Sequence, residues 1–421
     1  MRKILLIAIV IIVVASGGWY WYAKSHQTAP GVPSITNFSA FFPVGDPVEP
    51  TLPDGVLPQP TSPDETIGTT TPSPFTQLSP HAVAGFGAFT RQVTVTVPPD
   101  PSIPKSKSTK QTLIQHVLRY VSRGNGYVYE IEDGSIPLQI SNVYIPNIYE
   151  VLFGDKFATV LLRFLRPDQR TIATYSVPIP PANTDGTRTQ KPGVYFSDNI
   201  LAAAVSPDGT QVARLISGTN TATITLSSTT NTKAATLIQT PFREWLISWP
   251  SAKTLYLQTK ASAQVPGYLY KIDTAEKKLR QVLTGINGLT TSVSPSGTYV
   301  LYSQHAPGGF STRLFNTKTN TTQTLSLAIL PEKCTWLKNE DLICAGNSSV
   351  AQTAEYPDAW YQGIVSFSDQ LYRIYTSTLS YDTLYDNSGL SFDATNLQTD
   401  EALGMLYFVD KTTGLLWQFQ Y

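Results

Sequence analysis

The chain has 421 residues, and its 30 lysines and arginines are matched by 30 aspartates and glutamates, so no net field draws it toward a polyanion and a nucleic-acid scaffold is excluded. Charged residues make up only 14%, while 31 prolines, 27 glycines and 22 tyrosines stand beside 2 methionines and 2 cysteines. That balance predicts a β-rich protein with a Thr, Ser and Tyr surface, long enough for a substantial core, and excludes a miniature scaffold stapled by disulfides.

Residues 1–26 read as a membrane anchor. Arg2 and Lys3 precede an apolar run from Ile4 to Ala15, which continues through small residues into Trp19, Tyr20, Trp21 and Tyr22. Residues 4–22 as a helix rise about 1.5 Å each, nearly the thickness of a hydrocarbon core of about 30 Å. The paired cations favour an N-terminus inside, and the aromatic quartet suits the headgroup level. The expected place is therefore the cytoplasmic (inner) membrane, crossed once, with the lipid bilayer as one partner and the rest of the chain outside. The alternative is a cleaved signal peptide ending near Val14-Ala15-Ser16, which makes the protein secreted; both readings export the remainder of the chain. No cysteine stands after the run to carry a lipid.

Residues 27–74 are a Pro-, Thr- and Ser-rich linker with few charges and no period of 2 or 3.6. Such a stretch buries too little apolar surface to offset its ordering entropy and reads as a spacer. Ile35 to Phe42, with Phe38, Phe41 and Phe42, is its one apolar island.

Residues 75–421 repeat a unit. The clearest copies are Ala204-Val-Ser-Pro-Asp-Gly-Thr-Gln-Val-Ala213 and Ser292-Val-Ser-Pro-Ser-Gly-Thr-Tyr-Val-Leu301, each strand, turn, strand. Pro presets φ, Asp or Ser bonds the neighbouring backbone, and Gly accepts positive φ. Eroded copies run from Ile247 to Tyr256 and from Cys334 to Ile343. With Ser206, Trp249, Ser294 and Trp336 as equivalents, the spacings are 43, 45 and 42 residues, the period of a propeller blade.

Third strands come next at Tyr268–Thr274 and Arg313–Thr319, and short fourth strands at Gln281–Thr284, Gln323–Ser326 and Leu138–Ser141. The count reaches seven. The last unit ends after its third strand, and Phe75-Thr-Gln-Leu-Ser79, which has a related Gln-Leu-Ser form, is expected to supply the fourth and close the ring. Arg91 to Lys110, with its four prolines, reads as a surface insertion in the first blade. The fold class is thus all-β, a seven-bladed β-propeller preceded by a transmembrane helix and a Pro-rich linker.

The Ser-Pro-Asp-Gly-Thr turn and the β-branched strand after it resemble those of TolB-like and WD-repeat-like propellers, over roughly residues 75–421. The layout of anchor, stalk and propeller, with Ala82-Val-Ala-Gly85 and Arg119-Tyr-Val121, looks like that of membrane-anchored propeller proteins of bacteria. The chain lacks Trp-Asp and Gly-His pairs and a preceding TolB-type α/β domain, so no role in the Tol system and no eukaryotic WD function carries over.

Chemistry is sparse in the linear sequence. Cys334 and Cys344 flank a hairpin turning at Lys338 to Glu340; outside the cytoplasm they are expected to form a disulfide, two buried thiols being the alternative. Two thiols with no nearby histidine do not make a metal site. His26, His81, His116 and His305 are scattered, and there is no Gly-x-Ser-x-Gly elbow or phosphate loop. Neither a metal nor a cofactor is expected. Glu130, Glu132 and Asp133 alternate along a strand and its turn, and read as a solvated face rather than a glycosidase couple.

The largest departure from the repeat lies between Asn347 and Leu371. It carries Glu355, Tyr356, Asp358, Trp360 and Tyr361, the candidate binding residues, because clustered aromatics on a long loop supply contact area at low entropy cost. The alternative is that Trp360 and Tyr361 plug the channel mouth or pack on a neighbouring blade. The function expected is a non-catalytic protein- or peptide-binding module of the cell envelope. An envelope lyase or hydrolase, with residues converging on the channel from several blades, and a structural spacer are the competing readings.

Overall fold

The computed structural model describes residues 73–97, 108–183, 187–347 and 354–421. They form seven four-stranded antiparallel sheets: blade 1 spans residues 83–139, blade 2 148–195, blade 3 200–240, blade 4 245–287, blade 5 291–324, blade 6 334–385 and blade 7 394–420. In blades 1 to 6 the four strands run in chain order from the innermost outward. This is the all-β seven-bladed propeller. Among the described residues no helix is long and apolar enough to cross a membrane, and the segment 4–22 lies outside them.

Blade 7 closes the ring as expected. Its first three strands are Ala394–Asp400, Met405–Asp410 and Leu416–Gln420, and its outermost strand is Phe75–Gln77 from the other end of the described chain. Phe75 pairs with Phe419, Thr76 with Gln418 and Gln77 with Trp417. A Gln-x-Ser form shared by two outer strands has a structural cause: the Gln77 side-chain amide donates to the Ser79 carbonyl at 2.8 Å, and Gln139 does the same to Ser141 at 2.9 Å. In both places the glutamine closes off an outer strand.

The cores lie between blades. Blades 3 and 4, for example, share Leu215, Ile224, Trp245, Leu255 and Leu257, and comparable clusters join each of the other neighbouring pairs, blade 7 to blade 1 included. Second strands are therefore buried on both faces, as Val212–Leu215 shows. Each sheet depends on its two neighbours for burial, which makes ring closure a condition of stability.

The Ser206–Gly209 turn joins the first two strands of blade 3. Ser206 Oγ donates to Asp208 at 2.6 Å and accepts from the Gln211 N–H at 2.9 Å. Gly209 has φ of 77°, and a Cβ there would lie 2.8 Å from the Asp155 nitrogen of blade 2, so only glycine fits. Ser294 to Tyr299 repeats the pattern. In blade 6 the matching turn bond is Leu337 N–H to the Asp341 carbonyl, so Leu337 rather than Trp336 occupies the Ser206 position. The one-residue slip is absorbed by a shorter turn.

The described residues of the insertion expected between Arg91 and Lys110 are in large part strand rather than loop, and residues 98–107 lie outside them. Strands Val83–Val97 and Thr109–Ser122 stay in register out to Val97 opposite Thr109, forming a two-stranded arm on the face of the first-to-second strand turns. The Val-Thr alternation from Val93 to Val97 supplies the β pattern that outweighs the prolines beyond it.

A buried-charge network anchors the arm and corrects the expectation of a solvated acidic face. Glu130 is buried: it is ion-paired to Arg119, to Arg91 at 2.7 Å and to Arg188 at 3.2 Å. Glu132 also meets Arg91, and only Asp133 lies in the exposed turn. Burial would raise the Glu130 carboxyl, but Arg119 and Arg91 outweigh it and hold it down at about 2.

Candidate functional site

In each blade the second-to-third strand turn and the link to the next blade emerge on the same face. The blade 6 insertion sits on that face. It joins strand Leu342–Gly346 to strand Gln370–Ile374, and its centre is a single helical turn, Asp358–Tyr361.

Its described residues are fastened to four blades. Asp358 accepts from the Ala263 N–H of blade 4 at 2.7 Å, and Gln264 donates to Glu355 at 2.6 Å. Tyr356 packs on Phe310 of blade 5 and on Phe367, in a cluster with Leu330 and Trp360. The Tyr361 hydroxyl bonds to Glu332, and Trp360 Nε1 donates to Asp393 at 2.9 Å where the chain enters blade 7.

Beneath Trp360 lies a buried ion cluster. Lys333 Nζ, only 1% exposed, contacts Asp369 at 2.8 Å, Asp393 at 2.5 Å and the Ala394 carbonyl at 2.9 Å. The ammonium also lies 5.3 Å from the Trp360 ring centre, and Lys411 approaches the same ring at 5.2 Å. Burial pushes the Asp369 carboxyl up to about 6 against the pull of Lys333. Burial likewise raises Glu332, and burial together with Glu332 raises the Tyr361 hydroxyl well above its ordinary value.

The five candidate binding residues thus part company. Tyr356 and Trp360 are buried, at 2% and 4% exposure, and serve as the underside of a plug. Glu355 and Tyr361 remain on the surface, Asp358 is half-buried in its bond to blade 4, and Ile364 joins them at 72% exposure. Cys334 and Cys344 face each other across the first two strands of blade 6 and are bonded to one another.

Sequence reasoning missed Lys333, Asp369, Asp393 and Lys411, which are distant in the chain and share no motif. Their only local signal is a charged residue at a strand's edge, just before it for Lys333, Asp369 and Asp393 and just after it for Lys411.

Next to the plug, where blades 7, 1 and 2 meet, the mouth of the channel is open. A cavity of about 310 Å³ is lined by Arg123, Tyr149, Asn396, Lys411, Thr412 and Thr413 together with apolar and glycine positions. A second cavity of about 330 Å³ shares Ala84, Gly85, Tyr149 and Asn396 with it and reaches down the inner strands to Leu152 and Gln398. Asn396 projects at a bulge with φ of 54°, and Tyr149 lies under the Arg163 guanidinium at 5.4 Å. Among the described residues no three His, Cys, Asp or Glu side chains gather as metal ligands.

No family model matches the chain, and no curated protein matches it. Solved structures that it resembles include TolB from Acinetobacter baumannii (10% identity, TM-score 0.38, covering 79% of this chain and 80% of that one). They also include an oligogalacturonate lyase in complex with manganese (9%, TM-score 0.47, 78% and 97%) and the Cps50 (Swd1) β-propeller domain of Myceliophteria thermophila (11%, TM-score 0.44, 72% and 93%). The fold of this chain is established by its own seven sheets and their closing register.

Proposed function

We propose that the chain is a membrane-anchored, extracytoplasmic propeller that binds a protein or peptide partner of the cell envelope through the face bearing the blade 6 insertion. The supporting observation is the bracing of that insertion: Asp358, Trp360 and Tyr361 are each tied to a different blade, while Tyr361 and Ile364 stay exposed above them. A recognition surface held in place before contact loses little conformational entropy on binding. Residues 4–22 would hold the molecule to the inner membrane and residues 27–74 would set its distance from it.

The experiment is co-purification from membranes after crosslinking, with wild type beside a Tyr361→Ala/Ile364→Ser double variant. Ile364 is 72% exposed and Tyr361 gives up a single hydrogen bond to Glu332, so the variant should lose about 1 kcal/mol of stability and stay folded. The reading expects a specific partner that the variant loses; the same partner retained by the variant would reject this surface.

A further inference from the structure

The open cavity beside the plug has an unbalanced lining. Arg123 and Lys411 stand on it, and no Asp or Glu does. Among the described residues neither cation has a carboxylate within ion-pair distance. The Lys411 ammonium donates to the Trp360 carbonyl at 2.8 Å, which leaves further donors free to turn toward the cavity.

The backbone fixes both cations to one spot. Arg123 N–H donates to the Ala82 carbonyl at 2.9 Å, and Val83 N–H donates to the Gly414 carbonyl at 2.9 Å. The turn carrying Arg123 and the turn carrying Lys411, Thr412 and Thr413 are thereby pinned to adjacent residues of one segment. Between them lie the Thr412 hydroxyl, the Asn396 amide and the Tyr149 phenol, all able to donate, whereas the Thr413 hydroxyl already donates to Asp410 at 2.7 Å. Glu150, on the deeper cavity, is already paired with Arg163 and does not offset the charge at the mouth.

We propose that this cavity binds the C-terminal carboxylate of a peptide, with Arg123 and Lys411 as counter-charges and Tyr149, Asn396 and Thr412 as hydrogen-bond donors. The inference deepens the binding role proposed above and rests on it, adding the chemistry of the partner's end. Two cavities sharing four lining residues make an elongated cleft, which suits an extended chain whose terminus sits at the mouth and whose preceding residues track the inner strands. Charge-assisted hydrogen bonds to a carboxylate are among the stronger polar contacts, so removal of one cation should weaken binding about tenfold to a hundredfold.

The test uses the full-length chain in detergent, immobilised, and a degenerate hexapeptide mixture prepared as free acids and as C-terminal amides. Retained peptides are identified by mass spectrometry on wild type and on Arg123→Gln, an exposed position whose variant should keep the wild-type unfolding temperature. The proposal expects free acids enriched about tenfold or more over amides on wild type, and the enrichment gone in Arg123→Gln. Equal retention of acids and amides, no retention of either, or enrichment that survives Arg123→Gln would overturn it. Inorganic phosphate competing as well as the free-acid peptides would show a small-anion site and overturn the peptide assignment. Should the Tyr361 and Ile364 surface fail its own test while acids are still selected, the larger binding surface falls and this site stands.

Discussion

Phe75 lies directly opposite Phe419 across the sheet that joins the two ends of the described chain, with ring centres 4.8 Å apart. The same ring meets Tyr385 of blade 6 at 4.7 Å and Phe392 at 4.9 Å, so one side chain seals both the sheet and the neighbouring core. Phe75→Ala should lower stability by about 3–5 kcal/mol. Denaturant unfolding of the full chain measures this, and a loss below about 1 kcal/mol would mean that the closing strand is dispensable.

Lys333 is one cation facing two buried carboxylates at close range. Lys333→Met should cost about 3–5 kcal/mol, because Asp369 and Asp393 are then buried without their counter-charge. Adding Asp369→Asn and Asp393→Asn to that variant should restore most of the loss. If the triple variant is no more stable than the single one, the cost comes from packing and not from charge.

Acid titration should separate two carboxyls of opposite sign. Asp369 is pushed up from 3.8 to about 6 by burial, so the folded state takes up its proton first and this group's favourable contribution is lost as pH rises from about 4 through 6. Glu130 is held down from 4.5 to about 2, so its contribution is full above about 4.5 and is lost as pH falls toward 2. Asp369→Asn should flatten the stability curve between pH 4 and 6, and Glu130→Gln should flatten it below 4.5. Each group contributes a slope of at most about 1.4 kcal/mol per pH unit. Unchanged curves in both variants would remove these groups from the account.

Gly87 lets blade 1 approach the turn of blade 2. A Cβ at this position would stand 2.1 Å from Phe157 Cε1, and Phe157 is itself held at φ of 70° and stacked on Phe89 at 4.3 Å. Gly87→Ala should cost about 1–3 kcal/mol, whereas Gly124→Ala, with open space around it, should be near neutral. Thermal unfolding of the two variants compares them.

The Cys334–Cys344 bridge should make the protein lighter by two hydrogens than its reduced form, with no thiol open to alkylation after denaturation. Its reduction should cost about 2–4 kcal/mol of stability. Free thiols in protein purified without reductant would contradict the pairing.

What could be read from the chain was whatever is local. The Ser206 and Ser294 turns repeat because the same tight corner needs the same chemistry each time, and the strand at Phe75 carries its own Gln-Leu-Ser signature. The ion cluster at Lys333 was not legible, since Asp369 and Asp393 reach it only after the ring has closed. Glu130 looked solvated because alternation along a strand does not tell a water-facing side from one facing Arg119 and Arg188. Trp360 stands out in the sequence as an aromatic in the largest departure from the repeat, but whether such a ring faces outward or packs on its neighbours depends on what lies beneath it. Arg123 and Lys411, at opposite ends of the propeller sequence, meet only across the closing blades.

A binding face on the blade 6 insertion is best probed by site-specific photocrosslinking in whole cells from two positions, Ile364 on the insertion face and Thr319 in a turn on the opposite face. One discrete adduct is expected from Ile364, lost on Tyr361→Ala, and none from Thr319. Equal adducts from both positions, or none from Ile364, would contradict a binding face built on the blade 6 insertion.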